Sequence, residues 1–292
     1  SIASGNSTTE LSVEQLQTIT ATDSVASSLK NLAARLVDSQ QLAVLVVIEE
    51  DLTATAALVI TLTDVNEAND TLTGNMSFES NEIKALSYAN MVENQVFSEG
   101  SGDGPINVNT TQENSGVIAA TVTDLDAGMT ANAALTGEMS ISNNDVASFA
   151  YANVMNTVVV NDSTGSGGVT SELSQLNTAD GTITAVTNNP NANNSSLDLT
   201  ATIGAMTGSM EIKNNDIGSY AYANIMNNSV TSDNNGTGSF NFDLSQVNQA
   251  AVSSTTEDWS MGLTANSTGN TMSGDMSVMN NTVTSNAWAN NM

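Results

Sequence analysis

The side chains that usually move protons or hold metals are scarce in this sequence. It has no His and no Cys, and its only cations are Lys30, Arg35, Lys84 and Lys213, set against 31 Asp and Glu. Without imidazole, the commonest general base and the commonest zinc ligand are both missing. Without a thiol there is neither a nucleophilic Cys nor a disulfide staple. Carboxylates alone can bind calcium, and Asp124 and Asp126 could share an ion with loop carbonyls, but two carboxylates at i, i+2 on a strand are ordinarily a solvated face. The turn GSGDG (100–104) partly matches one calcium-binding nonapeptide; it occurs once, whereas such sites need consecutive copies. No P-loop, Rossmann glycine fingerprint or Ser/His/Asp set is present. The sequence therefore predicts no enzyme, no cofactor and no metal site.

The chemistry that does recur is of another kind. SFAYANVMN (148–156) returns as LSYANMVEN (86–94), SYAYANIMN (219–227) and SNAWANNM (285–292). Tyr88, Tyr151, Tyr222 and Trp288 occupy one matching position, and Asn90, Asn153, Asn224 and Asn290 another. An aromatic ring can stack on its own copy, and a side-chain amide donates and accepts at once, so both types suit ladders between equivalent strands. An active site normally occurs once, whereas a unit that packs against copies of itself has reason to repeat. These eight residues are the expected assembly positions of a structural protein.

The elements that must position them are strands. Only 12% of residues are charged and 2 are Pro, and Asn, Ser, Thr, Gly and Ala fill most of the remainder, a mixture that suits strands and turns, since Thr and Val fit a pleated surface while Asn, Gly and Ser supply bends. The copies start at Gly74, Gly137, Gly208 and Gly274, a period of 63 to 71 residues. In the second copy Met139, Ile141 and Asn143 share one parity; after Asn144 and Asp145 the parity changes to Val146, Ser148, Ala150 and Ala152, as a chain turning from one strand into the next would show. The helical alternative fails, because i+7 from Val146 is Asn153. Each period holds about five strand-like segments, which predicts an all-β, elongated repeat architecture. A β-solenoid with coils of twenty-odd residues, about three per period, is the expected form, with tandem β-sandwich modules as the alternative. Val25, Leu29, Leu32 and Leu36 recur at helical spacing after Asp23 and Ser24, predicting a short N-terminal capping helix ending near Asp38. Buried strands are expected at 42–48 and 53–63. The resulting organisation is a donor-like segment (1–22), the capping helix and first strand (23–52), repeats at 53–115, 116–180 and 181–251, and an incomplete fourth repeat (252–292).

A second element follows the Ala-Asn block: TSELSQLN (170–177) and NFDLSQVN (241–248). After the fourth block no copy follows, while a likeness, TTELSVEQLQ, stands at 8–17. This predicts that Glu10, Leu11, Val13 and Leu16 of one molecule complete the last repeat of another by strand addition. Donor and acceptor lie at opposite ends, so the contact is head-to-tail and polymerises into a filament unless it closes into a ring. Copies of itself are the expected partners, with polysaccharide or surfaces as further ones. The net charge of −27 argues against nucleic acid and anionic membranes. No run of 18 apolar residues predicts a membrane span, and a start at Ser1 fits a secreted chain processed by signal-peptide removal. The reading from a different class is a monomeric acidic surface adhesin that holds glycans or host surfaces, with calcium. The Thr-containing runs at 53–63 and 181–187 are too irregular for an ice-binding array.

The blocks GEMSISNNDVASFAYAN and GSMEIKNNDIGSYAYAN resemble the repeats of secreted bacterial functional amyloids of the Fap type and related β-strand-repeat adhesins, without the cysteine pair of those fibre subunits. The resemblance implies an extracellular fibre or biofilm-matrix subunit.

Overall fold

The computed structural model describes residues 2–3, 11–12, 32–36, 40–43, 45–50, 53–64, 71–72, 75–100, 106–131, 134–163, 169–188, 195–202, 205–231, 239–266 and 271–291. Among the described residues the chain is all-β, without a helix, and its strand pairs are parallel. Four sheets carry most of it. The first stacks Leu32–Leu36, Thr53–Asp64, Val117–Ala131, then Thr182–Asn188 with Ser195–Thr202, and finally Ala251–Thr256 with Trp259–Asn266. The second stacks Leu11–Ser12, Gln40–Ala43, Met76–Glu79, Glu138–Ser142, Ser209–Lys213 and Met276–Met279. The third runs Leu45–Glu50, Glu82–Gly100, Asp145–Ser163, Asp216–Thr231 and Thr282–Asn291, and the fourth Ile106–Asn114, Val169–Asn177 and Phe240–Asn248.

From Thr53 onward, each strand lies beside its own equivalent one period away. Asn90, Asn153, Asn224 and Asn290 are successive neighbours, separated by 63, 71 and 66 residues. The chain thus visits each of the second, third and fourth sheets once per period, not about three times as coils of twenty-odd residues would require. Like-on-like register is the reason. Pairing at one full period sets Ser148 on Ser219, Tyr151 on Tyr222 and Met155 on Met226, whereas a shorter coil would stack unlike segments. We call the strands contributed by one period a rung, numbered one to four by the third-sheet strands from Glu82, Asp145, Asp216 and Thr282.

The expected N-terminal helix is corrected at the residues that can be seen. Leu32–Leu36 is a strand, paired with Ile60–Asp64. Leu32 and Leu36 are four apart, a spacing that satisfies helical and extended periods equally, and Ala34 shares their parity; the neighbouring strand edge supplies the backbone partners that decide between them. Val25 and Leu29 lie outside the described residues. The strands expected at 42–48 and 53–63 are present as Gln40–Ala43, Leu45–Glu50 and Thr53–Asp64.

The core lies between the first sheet and the second and third. Ile118, Ala120, Met129, Ile183 and Leu199 of the first sheet pack with Met139, Ile141, Met210, Ile212, Val146 and Ile217 opposite. Small residues on the inner face of the third sheet, Ala150, Ala152, Ala221 and Ala223, belong to the same core. Where these sheets meet, hydroxyls join them: Ser148 Oγ and Thr187 Oγ1 are 2.9 Å apart, and Ser219 Oγ donates to Thr255 O at 2.7 Å. A smaller core of Met155, Met226 and Leu173 joins the third and fourth sheets.

Candidate assembly site: side-chain ladders and the fourth rung

The corner between second and third sheets is a two-residue device repeated in every rung. Its first residue, Ser80, Asn143, Asn214 or Asn280, has φ between 54° and 57°. Asn tolerates this left-handed backbone better than most residues because its short polar side chain can bond locally. Its second residue, Asn81, Asn144, Asn215 or Asn281, turns inward. Asn81 N and Nδ2 both donate to Asn144 Oδ1, at 3.1 and 2.5 Å. Asn144 N and Nδ2 donate to Asn215 Oδ1 at 3.1 and 2.7 Å, and Asn215 N and Nδ2 to Asn281 Oδ1 at 3.0 and 2.8 Å. The second amide hydrogen returns to the preceding rung, from Asn144 Nδ2 to Phe78 O and from Asn215 Nδ2 to Ile141 O, both at 3.2 Å. This column was absent from the expected assembly positions, although its constant distance from the Gly that opens each block is visible in the sequence.

The expected Asn ladder is present. Asn90 Nδ2 donates to Asn153 Oδ1 at 2.8 Å, Asn153 to Asn224 at 2.9 Å and Asn224 to Asn290 at 2.7 Å. It is cross-linked to the fourth sheet: Asn177 Nδ2 reaches Asn224 Oδ1 and Ala223 O, each at 2.9 Å. A Gln ladder beside it runs in the opposite donor direction, from Gln246 to Gln175 at 2.8 Å and from Gln175 to Gln112 at 2.7 Å. The element at 170–177 and 241–248 also occurs at Ile106–Asn114, in register on Val169–Asn177. A search for Leu-Ser-Gln passes over it, because Thr110 and Thr111 replace Leu and Ser; the spacing Gln-x-Asn is the signal that persists.

The expected aromatic positions also meet. Ring centroids of Tyr88 and Tyr151 are 5.0 Å apart, those of Tyr151 and Tyr222 5.1 Å, and those of Tyr222 and Trp288 4.6 Å, with planes within 8°. Phe149 stacks on Tyr220 beside them at 4.9 Å. Burial pushes the Tyr151 phenol well above its ordinary range, and the neighbouring phenols of Tyr88 and Tyr222 add to the shift. Of the expected donor segment, Leu11 lies in a strand paired with Leu42–Ala43 of its own chain, while Glu10, Val13 and Leu16 lie outside the described residues. Among the described residues no group of three or more carboxylates is placed to hold a metal, and no helix is long and apolar enough to cross a membrane.

The fourth rung keeps the pairing register of the inner ones but is far more exposed. Met210, Ile212 and Ile217 of rung three are each 0% exposed, whereas their partners Met276, Val278 and Val283 are 40%, 48% and 54% exposed. Met272 and Trp288 are likewise exposed where Met206 is buried and Tyr222 half-buried. Met276, Val278 and Val283 are in register with core residues of rung three and, with Met272, present an apolar surface beside Asn281.

No protein-family description, curated protein or solved structure matches this chain.

Proposed function

We propose that the chain is a structural subunit of an extracellular filament, a parallel β-solenoid whose copies join head-to-tail by laying a further rung on the fourth. The observation that carries this reading is the exposed apolar face of that rung, which repeats position for position the surface that rungs two and three use to accept their neighbours. A second copy is the proposed occupant, because a surface made of Asn, Tyr and Met columns is most nearly complementary to the next unit of the same columns. The N-terminal segment with Glu10, Leu11, Val13 and Leu16 is the proposed donor, and secretion to the cell surface or biofilm matrix the proposed setting, as in the Fap-type subunits its blocks resemble. With −27 charges on each copy, assembly is opposed by repulsion at low salt and eased by screening.

Negative-stain electron microscopy and sedimentation test this on the full chain, a Val278→Asp/Val283→Asp double variant and a chain lacking residues 1–17. The full chain forms fibres, faster in higher salt, and the double variant stays monomeric with unchanged β-sheet circular dichroism, since both side chains are already exposed in the single chain. Fibres from the double variant would remove the fourth-rung face from the joint, and fibres from the shortened chain would remove the donor. A full chain that stays monomeric at every salt concentration defeats the filament reading and favours the adhesin.

A further inference from the structure

The aromatic column is also a place where the rungs can be joined covalently. The chain has 4 Tyr. Three of them, Tyr88, Tyr151 and Tyr222, are successive members of one column, with ring centroids 5.0 and 5.1 Å apart and planes 7° and 8° from parallel. All three are half-buried on the outer face of the third sheet, so small oxidants reach their edges while the strands fix the ring spacing. The fourth, Tyr220, stacks on Phe149, which has no phenolic hydrogen to lose.

We propose that Tyr88, Tyr151 and Tyr222 form a site of oxidative cross-linking, in which a one-electron oxidant of the peroxidase class converts stacked pairs into dityrosine. Each of two neighbouring phenols gives up one electron and its phenolic proton. The two radicals couple through ring carbons ortho to the oxygens, forming one C–C bond, and the two displaced ring hydrogens move to the oxygens and restore both phenols. Hydrogen peroxide, acting through a haem peroxidase, takes up the two electrons and two protons and leaves as two waters. The product is a staple between rungs that are 63 or 71 residues apart in the chain. A bridge closing so long a loop restricts the unfolded chain strongly, by the reasoning that applies to disulfides. The inference is independent of filament formation, because both partners belong to one chain.

The test uses dilute full-length chain, treated in one arm with peroxidase and hydrogen peroxide and in another with photo-excited ruthenium tris-bipyridyl and persulfate, whose small oxidant needs no docking. Dityrosine fluorescence is read on the monomer fraction, and digested peptides are mapped by mass spectrometry. The expected product is a peptide pair lighter by two hydrogens, linking Tyr88 to Tyr151 or Tyr151 to Tyr222. Tyr151→Phe keeps the ring stack but leaves the remaining column phenols two rungs apart, roughly 10 Å, so the link falls to background. Oxidised monomer with no inter-rung link in either arm, a link that survives Tyr151→Phe, or one that uses Tyr220 overturns the proposal.

Discussion

Replacing Asn144 by Ala tests whether the corner column is a structural member or a decoration. Asn144 is 2% exposed, and its side chain makes four hydrogen bonds: it accepts from Asn81 N and Asn81 Nδ2 and donates to Asn215 Oδ1 and Phe78 O. Each is worth about 1 kcal/mol net, and burial keeps water from replacing them, so the expected loss is roughly 4 kcal/mol. Asn281 supplies the internal comparison. Its side chain accepts from Asn215 N and Nδ2 and donates to Ile212 O, but it is half-exposed on the fourth rung, so water takes over much of what Ala removes. The expected loss there is about 1 kcal/mol. Denaturant unfolding followed by circular dichroism, on monomeric protein, measures both. Equal losses at the two positions, or an Asn144→Ala loss below about 1.5 kcal/mol, would refute the reasoning that buried amide ladders hold the rungs in register.

Other substitutions probe single features. Ser87 is fully buried with no hydrogen-bond partner for its Oγ, in a column that runs from Glu50 through Ser87 to Ala150, Ala221 and Ala287; Ser87→Ala should stabilise the chain by about 1 kcal/mol in the same unfolding assay. A Cβ on Gly208 would stand 1.8 Å from Gly137 O, so Gly208→Ala is expected to cost upward of about 3 kcal/mol, while Gly128→Ala, with nothing within 4 Å of the added atom, should be neutral or gain about 0.5 kcal/mol from a stiffer unfolded chain. High pH gives a third handle. Burial raises the Tyr151 phenol, and Lys84 is raised because its bonds to Asp145 and Glu82 outweigh the desolvation that lowers it. Both shifts carry stability that is complete below the unfolded values, near 10 for Tyr and 10.5 for Lys, and is lost as pH rises through the folded ones. The unfolding midpoint should therefore hold level to about pH 10 and then fall, less steeply in Tyr151→Phe; an equal slope in that variant removes Tyr151 as a cause.

The repeated chemistry was legible because it obeys a fixed offset from Gly74, Gly137, Gly208 and Gly274. The Tyr and Asn columns, the parity of Val146 and Ala150, and the turn at Asn143 all follow from that spacing. How often the chain returns to each sheet was not legible from strand count. Five strand-like segments per period are compatible with several coils or one, and only the pairing of equivalent residues, such as Met139 on Met210, decides it. Leu32 to Leu36 misled for a related reason, since a four-residue apolar spacing belongs to both periods. The buried Asn144 column was overlooked because an Asn pair after a strand also reads as a solvated turn; its second residue is instead the most enclosed part of the corner.

Parallel, in-register stacking sets a condition on charge that the sequence meets column by column. Many neutral columns, such as Ser148 on Ser219 and Met155 on Met226, repeat one residue type, which ladders reward, but a repeated acid would set like charges on adjacent strands, where they destabilise. Most acids accordingly stand alone in their columns. Glu79 is followed by Ser142 and Lys213, Asp198 lies between Gly128 and Gly262, Glu211 between Ser140 and Ser277, and Glu93 is followed by Asn156 and Asn227. One exception, the column Glu82, Asp145, Asp216, has Lys84 lying 2.5 Å from Glu82 and 2.7 Å from Asp145. Glu99 beside Asp162 is a second exception, and a third, Glu172 on Asp243, is exposed to solvent on the fourth sheet, where water screens it. This staggering lets a chain of net charge −27 keep like-on-like register elsewhere. Asn156→Glu breaks the rule at one place, setting a carboxylate beside Glu93 on the neighbouring strand. It should cost about 0.5 kcal/mol at low ionic strength, and most of that cost should vanish in about 1 M salt, where screening acts within roughly 3 Å. If the cost is the same at both salt concentrations, it comes from the lost Asn227–Asn156 amide contact and not from charge, and staggering is not what makes the acidic rungs compatible.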